Sequence, residues 1–273
     1  MKILIVGHGF VGKAVDYGFS AVERHIVDPI YGTTLDEVDL NDYICTFVCV
    51  PTPMSNTGAI DYTILDSVMN QLNSRHRNIH HKIIIKSTVT PDILELYNDR
   101  GVVYNPEFLR EKTALEDFIN PDFHVFGGYR FDTQVVEEIY NDYSSCKKCP
   151  VFHVGYKEAS LIKYAMNSFL ATKVTFFNQL YDVANDFGAN YNSIIKVLEQ
   201  EPRIGKTHLR VPGFDNKRGF GGACFPKDTA AFVHTTDKMT LLEKAIDINN
   251  SYRKLYELDE RELQQNISFS SKE

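Results

Sequence analysis

The chain has 273 residues, of which 43% are hydrophobic and 24% charged, with a formal net charge of -7. That length and apolar content suit one or two ordinary globular domains and exclude a disordered or fibrous chain. The acidic balance gives no support for nucleic-acid or membrane binding through bulk electrostatics, so an anionic small molecule would need a local basic pocket.

The chain opens directly on MKILIVG, without a basic leader, and no stretch approaches the roughly 20 apolar residues of a membrane span, which predicts a cytoplasmic protein. Residues 2–6 form a continuous apolar run expected of a parallel strand covered on both faces. The turn that follows, Gly7-His8-Gly9-Phe10-Val11-Gly12, is a GxGxxG between a strand and a helix-forming segment, the context of a dinucleotide site. A second short strand, residues 25–27, ends in Asp28, placed to accept hydrogen bonds from both ribose hydroxyls. A carboxylate there repels a 2′-phosphate, which predicts NAD rather than NADP.

The strand at 44–50 carries Cys45 and Cys49, expected in the core, and runs into Pro51-Thr52-Pro53, where the chain leaves the sheet. Residues 61–72 have helical spacing. The strand 82–86 ends at Ser87-Thr88, and Thr88 is placed either to touch the nicotinamide or substrate or simply to precede a helix capped by Thr90. After 102–104, Glu107 and Glu111 stand four residues apart, giving either a working carboxylate pair or a solvated acidic face. Strands at 124–127 and 151–154 flank a helix at 132–143. Cys146 and Cys149 form a lone CxxC with no second ligand pair, so no metal site is expected.

From residue 157 a long helical pattern runs to 187, with Lys163 and Asn167 at i and i+4, suited to polarising an oxygen or to an ordinary solvated face. Helix continues at 190–198. A polar loop holding Arg203 leads into GFGGACFPKD, residues 219–228. Its glycines allow close approach of a ligand, and Pro226 suits the first turn of a helix, so Cys224 stands just before a helix N-terminus. The helix dipole and Lys227 favour thiolate there, and Asp228 lies one turn along. The plainer alternative is a glycine loop with a buried cysteine. Helical segments at 229–232 and 241–258 follow, and residues 264–273 are polar and expected to fray.

These segments together resemble the UDP-glucose/GDP-mannose 6-dehydrogenase family, through GHGFVG, FVCVPTP, STVTP, NPEFLRE, KYAMNS, RIG and GFGGACFPKD in that order over residues 1–260. The resemblance implies an α/β fold: a Rossmann-like parallel-sheet domain (1–155) followed by an all-helical central and dimerisation domain (156–273), with the active site between them. It implies oxidation of a nucleotide sugar, UDP-glucose first, twice at the 6-hydroxyl with two NAD reduced. Cys224 resembles the nucleophile that forms a thiohemiacetal and then a thioester. Lys163, Asn167 and Asp228 resemble the groups that handle the alcohol proton and the oxyanion, and Glu107 the base that directs water at the thioester, with Thr88 nearby. The implied cofactor set is Gly7, Gly9, Phe10, Val11, Gly12, Asp28, Pro51, Thr52, Thr88, Glu111 and Lys227. The implied substrate set is Glu107, Phe108, Leu109, Arg110, Lys163, Asn167, Phe220, Gly221 and Arg203, the last reaching across a homodimer interface.

Two departures from the family pattern stand out. The span between Asp28 and Tyr43 is short, predicting a trimmed strand–helix unit, and the chain stops where the family's second α/β domain begins, predicting a truncated member. A single-step hydroxyacid dehydrogenase and a non-catalytic NAD-binding partner of a longer enzyme therefore stay open as alternatives.

Overall fold

The computed structural model describes residues 1–75 and 81–270, apart from the side chain of Glu111. The first of its two units comprises Met1–Thr52 and Asp61–Lys163, the second Pro53–Ile60 and Tyr164–Glu273. This division differs from the expected 1–155 and 156–273 in two places, each with a local cause. The opening turns of the long helix belong with the sheet, because the Tyr156 hydroxyl donates to Val102 O at 2.7 Å and Ser160 Oγ to Val89 O at 2.7 Å. The loop 53–60 belongs with the helical unit, because Met54 N donates to Gln265 O at 3.1 Å.

Among the described residues, seven strands form one sheet: β1 (Lys2–Val6), β2 (Glu23–Val27), β3 (Cys45–Val48), β4 (Lys82–Ile85), β5 (Val102–Tyr104), β6 (His124–Gly127) and β7 (Val151–Val154). Their order is β2-β1-β3-β4-β5-β6-β7. All neighbours are parallel except β5 and β6, which pair antiparallel through Tyr104 and Gly127. That exception follows from a connection, residues 105–123, that begins and ends at one end of the sheet. Helices α1 (Phe10–Gly18), α2 (Thr63–Arg75), α3 (Pro91–Glu95), α4 (Ala114–Ile119) and α5 (Arg130–Tyr143) complete the unit. Between β2 and β3 three short 3-10 turns stand where a doubly wound fold carries a helix and a strand, as the short spacing predicted.

The central strands β3 and β4 are buried at every residue, as apolar runs in a two-sided parallel sheet should be. Ile3, Ile5, Phe19, Phe47, Ile84, Val103 and Phe126 pack with Tyr140 in one core, each worth roughly 1.5–3 kcal/mol on burial. The lysines bounding β4 are buried too. Lys82 pairs with Asp132 at 2.8 Å, and Lys86 enters the site described below.

At the first residue of β6 the His124 ring packs on Phe126 and Tyr140, and burial, reinforced by the Lys86 charge, pushes its pKa down to about 4. The unfolded chain therefore takes up a proton at higher pH than the native one. Stability is full above the ordinary histidine value near 6.5 and is lost as pH falls from there through 4, by up to about 3 kcal/mol. Urea unfolding at pH 7 and at pH 4.5 should show this loss in the wild type and less of it in His124→Gln.

The second unit holds most of α6 (Tyr156–Asp186) with α7 (Tyr191–Leu198), α8 (Phe225–Thr235), α9 (Thr240–Arg253) and α10 (Glu260–Gln264). Phe177, Ala184, Tyr191, Leu209 and Val211 form one apolar cluster, and Met54, Ile267 and Phe269 another. The expected fraying from residue 264 is corrected for 264–270. Ile267 and Phe269 are buried, and the Arg253 guanidinium lies over the Phe269 ring at 5.2 Å. The last helix, α10, lies beyond the expected run to 258, in a stretch for which no helix is expected. It opens at Asp259 with a capping box to Glu262, a D-x-x-E signal readable in the sequence.

Candidate functional site

In the first unit β1 leads to β2 on one side and the chain then crosses to β3 on the other, so the strand order reverses between β1 and β3. The carboxyl ends of such a pair are where an open α/β sheet takes its ligand. There Gly7, at φ +87°, turns the chain so tightly that a Cβ would stand 2.7 Å from Cys49 O, and a Cβ on Gly12 would stand 2.0 Å from Gly7 O. Gly9, by contrast, faces open space, and as N-cap of α1 it has no side chain covering the helix's first N–H groups. Phe10 and Val11 begin that helix. Asp28 Oδ2 accepts from His8 N at 2.6 Å and Oδ1 from Ile30 N at 2.9 Å, leaving each oxygen a further lone pair. An open glycine turn, uncapped helix N–H groups and an oriented carboxylate suit the diphosphate and ribose of a dinucleotide.

Other expected cofactor residues gather on the same edge. Pro51 is exposed, while Thr52 is buried and its hydroxyl donates to Thr88 O at 2.8 Å, joining the β3 and β4 loops. Thr88 itself is half-buried. The side chain of Glu111 lies outside the described residues.

After β5, Glu107 Oε1 accepts from Phe108 N at 2.8 Å, and Lys86 Nζ stands 3.1 Å from Oε2. That ammonium lies off the hydrogen-bond direction, so the buried Oε2 has a charge beside it but no donor. Lys86 instead donates to Asn105 Oδ1 at 2.8 Å, which also accepts from the Tyr140 hydroxyl at 2.7 Å. Lys163 donates to Glu107 O and lies 5.5 Å from the Phe108 ring centroid. Leu109 packs against the sheet core, and Arg110 is exposed, pairing with Asp117 at 2.5 Å. Glu107, Phe108 and Lys163 thus come together, and Lys86 joins them unannounced. Its signal was available: a lysine ending an all-apolar strand, KIIIK, has to be buried with a partner.

In the second unit Cys224 is the exposed N-cap of α8, and Pro226 occupies the helix's first turn. Asp228 is 1% exposed; its Oδ1 accepts from Lys227 Nζ at 2.7 Å and its Oδ2 from Asn167 Nδ2 at 2.6 Å. The Lys227 charge, expected to serve the Cys224 sulfur or the cofactor, is thus paired with Asp228. Asn167 keeps one further N–H to donate.

The glycine loop before Cys224 rests on groups the sequence did not reveal. Phe220 is buried, and its N–H donates to Asn249 Oδ1 at 2.6 Å. A Cβ at Gly221 would lie 2.2 Å from Arg253 Nη2, so the loop lies against that guanidinium. Gly222 N donates to Glu262 Oε1 at 2.9 Å, and Arg253 pairs with Glu262 at 2.6 Å and Asp215 at 2.7 Å. Arg203, by contrast, is 88% exposed in its side chain and pairs with Glu201 at 2.8 Å. Among the described residues no cluster of three or more His, Cys, Asp or Glu could hold a metal ion, and no helix is long and apolar enough to cross a membrane.

Fold and turn together define a dinucleotide-binding α/β protein with a helical second unit. Residues 31–144 match the NAD binding domain of the UDP-glucose/GDP-mannose dehydrogenase family, and residues 157–251 match that family's central domain. A UDP-glucose 6-dehydrogenase of Haloferax volcanii is 32% identical over 251 residues, covering 84% of this chain and 57% of that protein. A UDP-glucose dehydrogenase structure from Pyrobaculum islandicum is 26% identical with a TM-score of 0.75, covering 92% of this chain and 68% of that one. A 3-hydroxyisobutyrate dehydrogenase structure from Mycobacterium tuberculosis shares the fold at 16% identity, with a TM-score of 0.70 and 94% of its length covered. The chain belongs to the UDP-glucose/GDP-mannose dehydrogenase family, and it spans little more than half the length of the Haloferax relative. Its dinucleotide is NAD. The family match to the first unit begins at residue 31, so the glycine turn and Asp28 stand on their geometry.

Proposed function

We propose that the protein is an NAD-dependent nucleotide-sugar 6-dehydrogenase that oxidises a primary alcohol to a carboxylate in two steps, with UDP-glucose the first substrate to test. The observation that carries this reading is Cys224, an exposed sulfur at the N-terminus of an eleven-residue helix, beside a buried Asn167–Asp228–Lys227 cluster. A single hydride transfer needs no thiol. A four-electron oxidation that releases no aldehyde needs a covalent handle.

Bound NAD supplies the hydride acceptor, and Gly7, Gly9, Gly12 and Asp28 hold it. In the first oxidation the alcohol loses a hydride and its proton passes to a base, for which Asp228, linked to Asn167, is the candidate. The Cys224 thiolate then adds to the aldehyde carbon, and Lys163 and the remaining Asn167 N–H stabilise the resulting oxygen charge. Loss of a second hydride, to a second NAD that replaces the first NADH, would leave a thioester on Cys224. Glu107 takes a proton from water, which attacks that carbonyl, releasing the acid and restoring the thiolate. Lys86 Nζ stands 3.1 Å from Glu107 Oε2. Thr88 and Phe108 line the same sheet edge and are assigned to the substrate side.

A homodimer is part of the proposal. Phe169, Phe176 and Val183 leave an exposed apolar stripe along α6 at helical spacing, continued by Phe187 just past its end, and exposed Arg203 would serve a neighbouring copy. Five cysteines, an odd and sparse set, fit a reducing, cytoplasmic setting.

The test is to incubate the purified chain with NAD and a panel of UDP- and GDP-sugars and count NADH per sugar oxidised. Two per sugar is expected. One per molecule would point to single-step chemistry, and NAD binding without turnover on any sugar would favour a non-catalytic NAD-binding protein.

A further inference from the structure

The residues leading to Cys224, Gly219-Phe220-Gly221-Gly222-Ala223, include three glycines, and Gly219 and Gly222 stand at φ +76° and +77°. Glycine gives up more backbone freedom on folding than any other residue, so the place of the sulfur at the end of such a run has to be set from outside the loop. Asn249 sets one point: its Oδ1 accepts from Phe220 N at 2.6 Å and its Nδ2 donates to Phe220 O at 3.0 Å. Glu262 sets another by accepting from Gly222 N at 2.9 Å.

Glu262 belongs to a segment, residues 259–270, that lies beyond the residues 157–251 matched by the family's central domain. That segment is fastened along its length. At its start the Asp259 side chain accepts from Arg261 N and Glu262 N, while Glu262 Oε2 accepts from Asp259 N at 2.9 Å. Beyond α10, Gln265 O accepts from Met54 N at 3.1 Å and Ser270 O from Asn250 Nδ2 at 3.1 Å. Ile267 and Phe269 are buried with Met54, and the Phe269 ring covers the guanidinium of Arg253, which pairs with Glu262 at 2.6 Å. A fully buried carboxylate is a costly way to fill space, and an apolar side chain would pack there at less cost. What the carboxylate supplies, and an apolar side chain cannot, is a directed bond to the Gly222 N–H.

We propose that residues 259–270 are a strap that positions Cys224, with Glu262 the positioning residue and Phe269 its anchor. The inference rests on the reading of Cys224 as the nucleophile and deepens it. A misplacement of about 1 Å at a reacting atom can cost on the order of a hundredfold in rate. Between the two oxidations that difference decides the fate of the aldehyde. With the loop fixed, the sulfur adds to the aldehyde carbon as soon as the first hydride has left, the carbonyl electron pair moves to oxygen, and no aldehyde escapes. With the loop released, the addition slows and the aldehyde leaves as a product.

The test uses the whole chain with NAD and the panel of nucleotide sugars, and reads NADH per sugar, aldehyde trapped by hydrazine, and amide hydrogen exchange by mass spectrometry. Phe269→Ala releases the strap without touching the loop, and Glu262→Ala removes the bond to Gly222. In both, NADH per sugar should fall from two toward one as trapped aldehyde appears. Amides of residues 219–224 should exchange about tenfold faster, while those in the middle of α6 do not change. Glu262→Gln keeps an oxygen for the Gly222 N–H and should stay closer to two than Glu262→Ala. The ratio does not depend on how much of a variant is folded, so a merely structural role would leave it at two, and Phe269→Ala carries the test where Glu262→Ala does not fold. Two NADH per sugar from Phe269→Ala, with faster exchange at 219–224, overturns the positioning role and leaves the thioester route standing. Unchanged exchange at 219–224 in both variants overturns the strap itself. A wild type that oxidises no sugar, or yields one NADH per sugar, overturns the two-step reading and the strap with it.

Discussion

Cys224→Ala is expected to abolish acid formation, lowering it by about a thousandfold or more, which corresponds to about 4 kcal/mol of barrier. The side chain is exposed, so its removal opens no cavity and the thermal midpoint should stay within a degree or two of the wild type. The groups assigned to the first oxidation remain in place. The variant should therefore release at most one NADH per sugar and leave an aldehyde detectable by hydrazine trapping. Mass spectrometry of the wild type during turnover should find a sugar-nucleotide adduct on Cys224 and none on the variant. Near-normal acid production by Cys224→Ala would sink the thioester route.

The second large effect is on stability. Glu262→Ala should cost about 3–5 kcal/mol, because it removes one partner of a buried ion pair. Glu262 is 0% exposed; its Oε1 accepts from Arg253 at 2.6 Å and from Gly222 N at 2.9 Å, and its Oε2 accepts from Asp259 N at 2.9 Å. The substitution leaves Arg253, 1% exposed, with Asp215 as its remaining ion-pair partner among the described residues. It also frees the N–H of Gly222, two residues before Cys224. Urea unfolding should show a lower midpoint, and Glu262→Gln, whose single amide oxygen still accepts from Gly222 N and Arg253 while the Asp259 N–H loses its acceptor, should recover part of the loss. A cost below about 1 kcal/mol would mean that the pair contributes little net stability.

The strand KIIIK was legible as a strand from its apolar run alone, yet nothing in the run said that its closing lysine stands 3.1 Å from Glu107. That proximity depends on β4 and β5 being neighbours. The spacing of Glu107 and Glu111 predicts a shared helical face, either a working pair or a solvated one, whereas Glu107 stands in a loop after β5, with Lys86 beside it and Lys163 donating to its carbonyl. Asp228 and Lys227 were both singled out from one motif, and only packing assigned the lysine charge to the aspartate.

The sequence by itself determined the features written in local spacing. These are the glycine turn before α1, Asp28 at the end of β2, the shortened span before β3, the length of α6, and a cysteine at the start of α8. Each depends on backbone preferences and periodicities that act over a few residues. Only the tertiary structure decided that Asn249, Arg253 and Glu262 carry the glycine loop and that the chain through residue 270 is anchored. Those contacts join residues 29 to 40 positions apart in the chain, or rest on burial that no local pattern encodes, and the reason they form is the cost of leaving a buried charge or N–H without a partner.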